Sequence, residues 1–266
     1  MTEARKTALV TGASRGIGKA IALQLATQGL NVIVHYKREA AEAEAVVQAI
    51  RQHGVEAAAL QADLSVPEAA IALGHAAWGV WGGIDVLVNN AGVSYKKHFL
   101  DNTPEDVDGF MNVNYKGALF LMQTIARHMV EEGRGGSIAC ITSVNGIRPG
   151  IGLSAYGASK AALESMVKSA AMELAPHNIR VNSFAVGAVE TDINAGVRQQ
   201  PELLQEVNAG IPMGRFGLPE EVAAVVSSML LNDRYMTGST ITVDGGLLLM
   251  RGYGKAAPYT TKDQNT

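Results

Sequence analysis

The sequence predicts an α/β protein organised around one doubly wound parallel sheet. Seven short runs rich in apolar and β-branched residues alternate with longer alanine-rich segments of helical period. The runs are largely apolar on both faces, as parallel strands are when helices cover each side of their sheet. No stretch of the 266 residues resembles an interdomain linker or a repeat, so we expect a single domain over residues 1–266.

The predicted strands share a high content of aliphatic and β-branched residues. In chain order they are TALVTG at 7–12, NVIVHY at 31–36, AAALQAD at 57–63, IDVLVNNAG at 84–92, GSIACITS at 136–143, IRVNSFAVG at 179–187 and STITVDGG at 239–246. Helical segments fill the intervals between the strands. This alternation favours a parallel sheet with helices on both faces.

Two segments do not fit the alternation. Residues 188–219, between the sixth and seventh strands, mix prolines, glycines and polar residues over a length that is usually functional in a compact domain. We expect this stretch to act as a lid over the substrate and call it the lid segment. The tail at residues 252–266 has no apolar period, and we expect it to be loose unless it docks on a neighbouring subunit.

Composition narrows the function classes. Hydrophobic residues make up 47% of the chain and charged residues 18%, which is typical of a soluble globular protein. The net charge of −3 gives no electrostatic signal for nucleic acid or an anionic membrane. The first residues do not resemble a signal peptide, and the single cysteine, Cys140, lies in a predicted strand. We therefore expect a cytoplasmic protein, with Cys140 as a core residue in a reducing compartment and a small molecule as substrate.

A glycine-rich turn follows the first predicted strand. Gly12, Gly16 and Gly18 stand between this strand and a helix, where glycines allow a tight turn, close backbone approach to a pyrophosphate and close helix packing. The free amides and the positive dipole end of the helix favour an anion. Three glycines alone are weak evidence, but after the first strand of an alternating pattern they indicate a dinucleotide site.

A tyrosine and a lysine lie one helical turn apart in SAYGASKAALESM. Residues four apart share a helix face, so Tyr156 and Lys160 can project together. Taken alone, the pair also fits a half-buried tyrosine beside a solvated lysine. A phenol with a pKa near 10 is a poor base at neutral pH, whereas a cation held close to it stabilises the phenolate. Ser143 ends the fifth strand, at the edge where open parallel sheets bind ligands.

These features together resemble the short-chain dehydrogenase/reductase family. The likeness rests on residues 11–18, NNAG at 89–92, Ser143 and the Tyr156–Lys160 pair, and it extends over about residues 6–249. It implies a Rossmann-type domain that transfers a hydride at a nicotinamide cofactor, with proton transfer through Tyr156 and no metal. It also implies a homotetramer, with the helices that end near His128 and Pro176 packed between subunits.

The resemblance assigns the catalytic residues Asn114, Ser143, Tyr156 and Lys160. Ser143 would hydrogen-bond the substrate oxygen, and Lys160 with the cofactor ribose would relay the proton. Asn114 would support a water that links Lys160 to solvent. Asn112 is a nearby competitor, and Asn114 could instead be a polar residue that kinks a helix.

The resemblance also assigns the cofactor contacts. They are Gly12, Ser14, Arg15, Gly16, Ile17, Gly18, Tyr36, Lys37, Arg38, Asp63, Leu64, Asn90, Ala91, Gly92, Tyr156, Lys160, Gly187, Val189 and Thr191. Asp63 would accept a hydrogen bond from the adenine amino group, although it could also cap a turn or helix. Asn89 and Asn90 could equally be turn formers. Val186 stands where the family usually has a proline before Gly187, which restores an N–H donor and frees φ.

The end of the second strand predicts the choice of cofactor. Tyr36 stands where an NAD enzyme usually places an acid, and Lys37 and Arg38 follow it, with Arg15 in the glycine turn. Cations without a carboxylate suit the 2′-phosphate of NADP, so we expect NADP, with NAD also possible. Lys37 and Arg38 could instead be ordinary solvated charges. The six histidines show no shared ligand spacing, so we expect no metal site.

The sequence says least about the substrate. Segments such as IPMGRFGLPEEVAAVV resemble both bacterial glucose 1-dehydrogenases and 3-oxoacyl-carrier-protein reductases. Expected substrate contacts are Ser94, Ser143, Asn145, Tyr156 and Asn194. The side-chain amides of Asn145 and Asn194 suit the hydroxyls of a sugar or polyol. A carrier-protein substrate would need a basic rim, for which the candidates are Lys96, Lys97, Arg148, Arg198 and Arg215. We favour a sugar or polyol over an acyl thioester, and either over a non-catalytic NADP-binding protein.

Overall fold

The computed structural model describes residues 5–250. Seven parallel strands form one sheet in the order β3-β2-β1-β4-β5-β6-β7, which confirms the predicted doubly wound architecture. The strands are β1 Thr7–Val10, β2 Asn31–Tyr36, β3 Ala57–Gln61, β4 Val86–Asn89, β5 Gly136–Ser143, β6 Ile179–Val186 and β7 Thr240–Val243. Where the predicted strands run longer, most of the extra residues follow the carboxyl ends of the strands, while Ile84 and Asp85 precede β4 and Ser239 precedes β7.

Ten α-helices connect and flank the strands within residues 5–250. They are α1 Gly16–Thr27, α2 Ala40–Arg51, α3 Pro67–Trp81, α4 Pro104–Met111, α5 Ala118–Glu131, α6 Val144–Ile147, α7 Ser154–Leu174, α8 Ala195–Arg198, α9 Pro201–Ala209 and α10 Pro219–Leu231. A π-helical segment at Asn112–Gly117 joins α4 to α5. No helix in this range combines the length and the apolar content that a membrane crossing requires.

The core lies in two layers, one on each face of the sheet. On one face, residues of α1, α2 and α10 pack against β1, β2 and β5. On the other face, residues of α3, α5 and α7 pack against the same central strands. Cys140 in β5 is fully buried in the second layer, and burial raises the pKa of its thiol to about 12. It is therefore a core residue, as the sequence predicts.

Strand β1 is the point where the strand order reverses. It pairs with β2 on one side and with β4 on the other, and the chain leaves the carboxyl ends of β1 and β4 in opposite directions. A crevice opens at such a position, and open α/β sheets bind ligands there. The glycine turn after β1 and the NNAG segment after β4 both lie at this crevice.

The lid segment contains more regular structure than its mixed composition predicts. It holds a 3₁₀ turn at Asp192–Asn194 followed by α8 and α9, none of which contributes a buried residue. Its two ends are joined by a short parallel bridge between Val189 and Gly217. The predicted tail at 252–266 lies outside the described residues.

Candidate active site

The glycine turn has the geometry that its sequence predicts. Gly12 and Gly16 adopt φ values of +61° and +55°, in the left-handed region that favours glycine. A Cβ on Gly18 would lie 2.4 Å from the carbonyl oxygen of Gly12, so no larger residue fits there. The backbone is thus free to approach a ligand closely.

The start of α1 fits an anionic group. Arg15 is the N-cap residue, and its side chain makes no capping hydrogen bond to the helix. The first turn contains no acidic side chain, so its amide donors and the positive dipole end are not neutralised locally. Ser14 is buried behind the turn, and Ile17 packs against the core. These features fit a pyrophosphate.

Asn90 fixes the glycine turn to β4. Its Nδ2 donates to the carbonyl oxygens of Thr11 and Gly12 at 2.8 and 3.2 Å. The Thr11 hydroxyl accepts from the backbone amides of Asn90 and Ala91 at 2.9 and 3.0 Å. A Cβ on Gly12 would lie 3.0 Å from the Ala91 Cα, so the two segments are in contact. Asn90 therefore has a structural role at the place where the sequence predicts a cofactor contact.

His35 is a second brace that the sequence does not reveal. Its Nδ1 accepts from the Gly12 amide at 3.1 Å, and its Nε2 lies 3.1 Å from the Ala62 carbonyl oxygen. The ring therefore connects the ends of β1, β2 and β3. Burial lowers the pKa of His35 to about 4, so the imidazole is neutral at physiological pH. The only signal in the sequence is a polar residue inside an apolar strand.

The predicted adenosine end carries charges that are already paired. The Lys37 Nζ lies 2.9 Å from the Asp63 Oδ2, while the Asp63 Oδ1 accepts from the Ser65 amide and hydroxyl. Burial pushes the pKa of Asp63 upward, but the bonds from Lys37 and Ser65 outweigh it and hold that pKa at about 2. Tyr36 is half-buried and Arg38 is exposed. The turn-capping alternative for Asp63 is thus observed.

Leu64, which the sequence places among the cofactor contacts, lies mainly in the core. Its side chain is 5% exposed. Its carbonyl oxygen lies where a Cβ on Gly117 would approach to 2.3 Å, so it packs against the π-helical segment. Any contact with a nucleotide would have to come through its backbone.

Tyr156 and Ser143 come together at the carboxyl edge of the sheet. Tyr156 lies in the first turn of α7, and its ring meets that of Phe110 edge to face, with 6.0 Å between ring centroids. Ser143 ends β5 and caps α6, where its Oγ accepts from the Asn145 amide at 3.1 Å. Burial raises the pKa of Tyr156, and the nearby hydroxyls of Ser143 and Ser94 offset part of this increase. Three hydroxyl groups therefore cluster here.

Lys160 lies one turn further along α7 than Tyr156, and its ammonium group is directed to the end of β5. Only 4% of the residue is exposed, and Nζ donates to the Ile141 carbonyl oxygen at 2.9 Å. Burial lowers the pKa of the ammonium group to about 8. A Cβ on Gly92 would lie 3.2 Å from Nζ, so the NNAG segment passes close by the cation. The solvated-lysine alternative is wrong.

Asn114 sits inside the π-helical segment and is fully buried. Its Oδ1 accepts from the Val93 amide at 2.9 Å, and its Nδ2 donates to the Val93 carbonyl oxygen and the Ser159 Oγ, both at 3.0 Å. Such π-helical insertions are frequent at functional sites. Asn114 therefore lies in an irregular helix, as the alternative predicts, while connecting the 93–98 loop to α7.

The loop after β6 lies against the glycine turn. Val186 completes the strand opposite Ser143 and Val243. A Cβ on Gly187 would lie 2.7 Å from that of Asp244, so this loop also packs on the end of β7. Val189 is buried, and the Thr191 hydroxyl lies 3.5 Å from the Val189 carbonyl oxygen.

The two predicted substrate asparagines are partly engaged within the protein. Asn194 donates from Nδ2 to the Val189 carbonyl oxygen at 2.7 Å. Asn145 accepts from the Gly150 amide at 3.1 Å. A cavity of about 570 Å³ lies beside the cluster and is lined by Asn145, but Ser143, Tyr156 and Lys160 do not line it. It is formed by the 149–154 loop and the start of α7.

The candidate basic rim is largely neutralised. Lys97 pairs with Asp106, Arg198 with Glu190 at 3.7 Å, and Arg215 with Glu221 at 2.6 Å. Arg148 donates to backbone carbonyl oxygens of residues 247, 248 and 250. Lys96 is the one candidate with neither a carboxylate partner nor a side-chain hydrogen bond among residues 5–250.

Known proteins resemble this chain over almost its whole length. A sequence-family profile described as enoyl-(acyl carrier protein) reductase matches residues 12–248. The chain is 38% identical to 3β-hydroxysteroid dehydrogenase 1 of Eggerthella lenta over 93% of this chain and 95% of that protein. It is 36% identical to an L-rhamnose 1-dehydrogenase (NAD(P)(+)) of a Sphingomonas species over 91% of this chain and 96% of that protein.

A solved structure agrees with these relatives. The 3-oxoacyl (acyl-carrier-protein) reductase of Agrobacterium tumefaciens, solved with NADP bound, superposes with a TM-score of 0.85 at 36% identity, covering 90% of this chain and 93% of that one. The seven-stranded parallel sheet of this chain agrees with that likeness. The chain belongs to the short-chain dehydrogenase/reductase family.

Proposed function

We propose that the protein is an NADP(H)-dependent oxidoreductase that interconverts a secondary alcohol and a carbonyl, with a sugar or polyol as substrate. The oxidoreductase class, acting on CH–OH or carbonyl groups, is confirmed by the family and its dehydrogenases and reductases. The observation that carries the site assignment is the convergence of Ser143, Tyr156 and the buried Lys160 at the sheet edge that holds the glycine turn.

The nicotinamide, when bound, supplies the hydride acceptor or donor. The amides at the start of α1 hold the pyrophosphate, since no side chain caps them. The loop of Gly187, Val189 and Thr191 holds the nicotinamide end, and residues 36–38 with Asp63 and Asn90 hold the adenosine end. In this proposal, the chain binds and orients the dinucleotide along the whole crevice.

Tyr156 moves the proton. The Ser143 hydroxyl orients the substrate oxygen toward the phenol, and Ser94 adds a second hydroxyl beside it. Burial alone raises the pKa of Tyr156, so the phenol needs a nearby positive charge to act as a base. The ammonium group of Lys160, one turn further along α7, is the cation that this chain offers.

The neutralised rim favours a small substrate. Three of the five candidate cations face carboxylates, and Arg148 is occupied by backbone carbonyls. An acidic carrier protein would find little unpaired positive charge there. The L-rhamnose 1-dehydrogenase likeness also supports a sugar. The alternative hypothesis is a 3-oxoacyl-carrier-protein reductase, which the Agrobacterium neighbour supports.

The cofactor expectation is NADP, with NAD also used. An NADP-bound neighbour and an NAD(P)-dependent relative both agree with it.

We infer that the working protein is a single-domain subunit of a cytoplasmic homotetramer. The family resemblance supports this assembly, in which the helix that ends near Pro176 packs between subunits, and Met172, which is 74% exposed, lies on that helix.

The experiment is a turnover panel with both cofactors, followed through the absorbance of the reduced nicotinamide. The panel contains aldoses including L-rhamnose, polyols, simple hydroxyketones, a 3-hydroxysteroid and a 3-oxoacyl thioester. We expect the highest kcat/KM on a sugar or polyol with NADP. A preference for the thioester would establish the alternative, and cofactor binding without turnover on any compound would favour a non-catalytic protein.

A further inference from the structure

The cations expected to hold a 2′-phosphate are surrounded by carboxylates. The Arg15 Nε lies 3.3 Å from the Asp192 Oδ2, and its NH2 lies 3.7 Å from the Glu39 Oε1. The Lys37 Nζ is paired with Asp63. Among residues 5–250, Arg38 is the one cation of this group without a carboxylate within ion-pair distance. The group as a whole is therefore close to electrically balanced.

Asp192 differs from the other carboxylates because it belongs to the lid segment. Thr191 beside it lies against the glycine turn, and a Cβ on Gly16 would be 3.3 Å from the Thr191 Cγ2. This contact holds Asp192 close to the guanidinium of Arg15. The pair thus connects the expected cofactor site to the lid segment, which lies far away along the chain.

The Arg15–Asp192 pair is one that a phosphate can replace. The side chains are 58% and 66% exposed, and ion pairs this exposed are weak. A phosphate monoester carries nearly two negative charges and accepts bidentate hydrogen bonds from arginine. A carboxylate that stays beside Arg15 repels the phosphate. NAD has a hydroxyl in place of this phosphate and does not compete for the guanidinium.

We propose that Asp192 is a cofactor-specificity residue, whose carboxylate competes with the 2′-phosphate of NADP for Arg15 and thereby weakens NADP relative to NAD. This inference rests on the proposed use of both cofactors. It assigns the ratio of the two affinities to a residue of the lid segment as well as to the end of β2.

The test measures the dissociation constants of NADP and NAD by calorimetry, without substrate, in wild type and in Asp192→Asn. We expect the constant for NADP to fall by about 3–10-fold, since a repelling charge and a competitor are both removed. The constant for NAD should stay within about twofold. Glu190→Gln is the matched control, because Glu190 is also an exposed carboxylate of the lid segment but pairs with Arg198. It should change neither constant.

A second variant tests whether the effect passes through Arg15. In an Arg15→Gln background, Asp192→Asn should no longer change the ratio of the NADP and NAD constants. An unchanged ratio in the single variant Asp192→Asn, or an equal change in Glu190→Gln, would overturn the inference while leaving the proposed function intact. Failure of the wild-type protein to bind either cofactor would instead overturn the proposed function.

Discussion

Lys160 carries its ammonium group into the core with one carbonyl oxygen as a hydrogen-bond partner. Burial lowers its pKa from 10.5 to about 8, which corresponds to roughly 3 kcal/mol of destabilisation at neutral pH. Because the folded pKa lies below the unfolded one, this destabilisation is full below about pH 8 and fades as the pH rises toward 10.5. The residue is therefore placed for function at the expense of stability.

Lys160→Met should remove that destabilisation and abolish turnover. We expect the Tm at pH 7 to rise by roughly 2–6 °C, because the loss of the bond to Ile141 offsets part of the gain. The difference from wild type should shrink at pH 9.5. Calorimetric melting at both pH values checks this, and a lower Tm for the variant at pH 7 would contradict it.

His35 makes the opposite contribution to the pH dependence. Its pKa is lowered from 6.5 to about 4, so the unfolded chain takes up a proton before the folded protein does. Stability is fully present above pH 6.5 and is lost as the pH falls through the window down to 4. By pH 5 the loss amounts to roughly 2 kcal/mol.

The comparison for His35 is a variant that cannot titrate. Urea unfolding of wild type and His35→Gln at pH 7.5 and pH 5 should show the gap between them narrowing by roughly 2 kcal/mol at the lower pH. A gap independent of pH would contradict the role of the neutral His35 imidazole as the brace between Gly12 and Ala62.

At the scale of elements, the π-helical segment is the least regular part of the scaffold. It lets Asn114 turn into the core and satisfy both backbone groups of Val93 together with Ser159. A regular helix would not leave this side chain in the same place. The segment thereby couples the loop that carries Ser94 to the helix that carries Tyr156.

Asn114→Ala should remove the hydrogen bonds that a fully buried side chain makes to the amide and carbonyl groups of Val93 and to the Ser159 hydroxyl. We expect the free energy of unfolding to fall by roughly 2–4 kcal/mol, since each lost hydrogen bond costs about 1 kcal/mol and the truncated side chain leaves a cavity. Asn112→Ala is the matched control, because Asn112 starts the same segment and makes no side-chain hydrogen bond within residues 5–250. It should change stability by less than about 0.5 kcal/mol. Equal losses in both variants, measured by urea unfolding, would contradict this role.

At the scale of the whole molecule, the sequence predicts the order of strands and helices along the chain better than it predicts which distant residues contact each other. The seven strands and the glycine turn follow from local periodicity and φ requirements, which short windows of sequence contain. The strand order and the His35 brace depend on which distant segments meet. The pairing of Arg15 with Asp192 and of Lys37 with Asp63 also depends on distant segments. Because of these pairs, the two cations that the sequence assigns to a 2′-phosphate are partly neutralised within the protein.

The exposed apolar residues near α7 lead to a prediction on assembly. We expect a homotetramer that packs α7 between subunits to cover Met172, which is 74% exposed in the single chain. Light scattering on the eluting protein should give four times the chain mass of 27.9 kDa. A mass equal to that of one chain would contradict the proposed assembly.

The central claim is that the phenol of Tyr156 transfers the proton beside a bound nicotinamide. The most direct measurement is kcat for wild type and Tyr156→Phe on the best substrate of the panel, with the cofactor dissociation constant measured in parallel. The account predicts a loss of about 10²- to 10⁴-fold in kcat while the dissociation constant stays within about twofold. Turnover by the phenylalanine variant at the wild-type rate would contradict it.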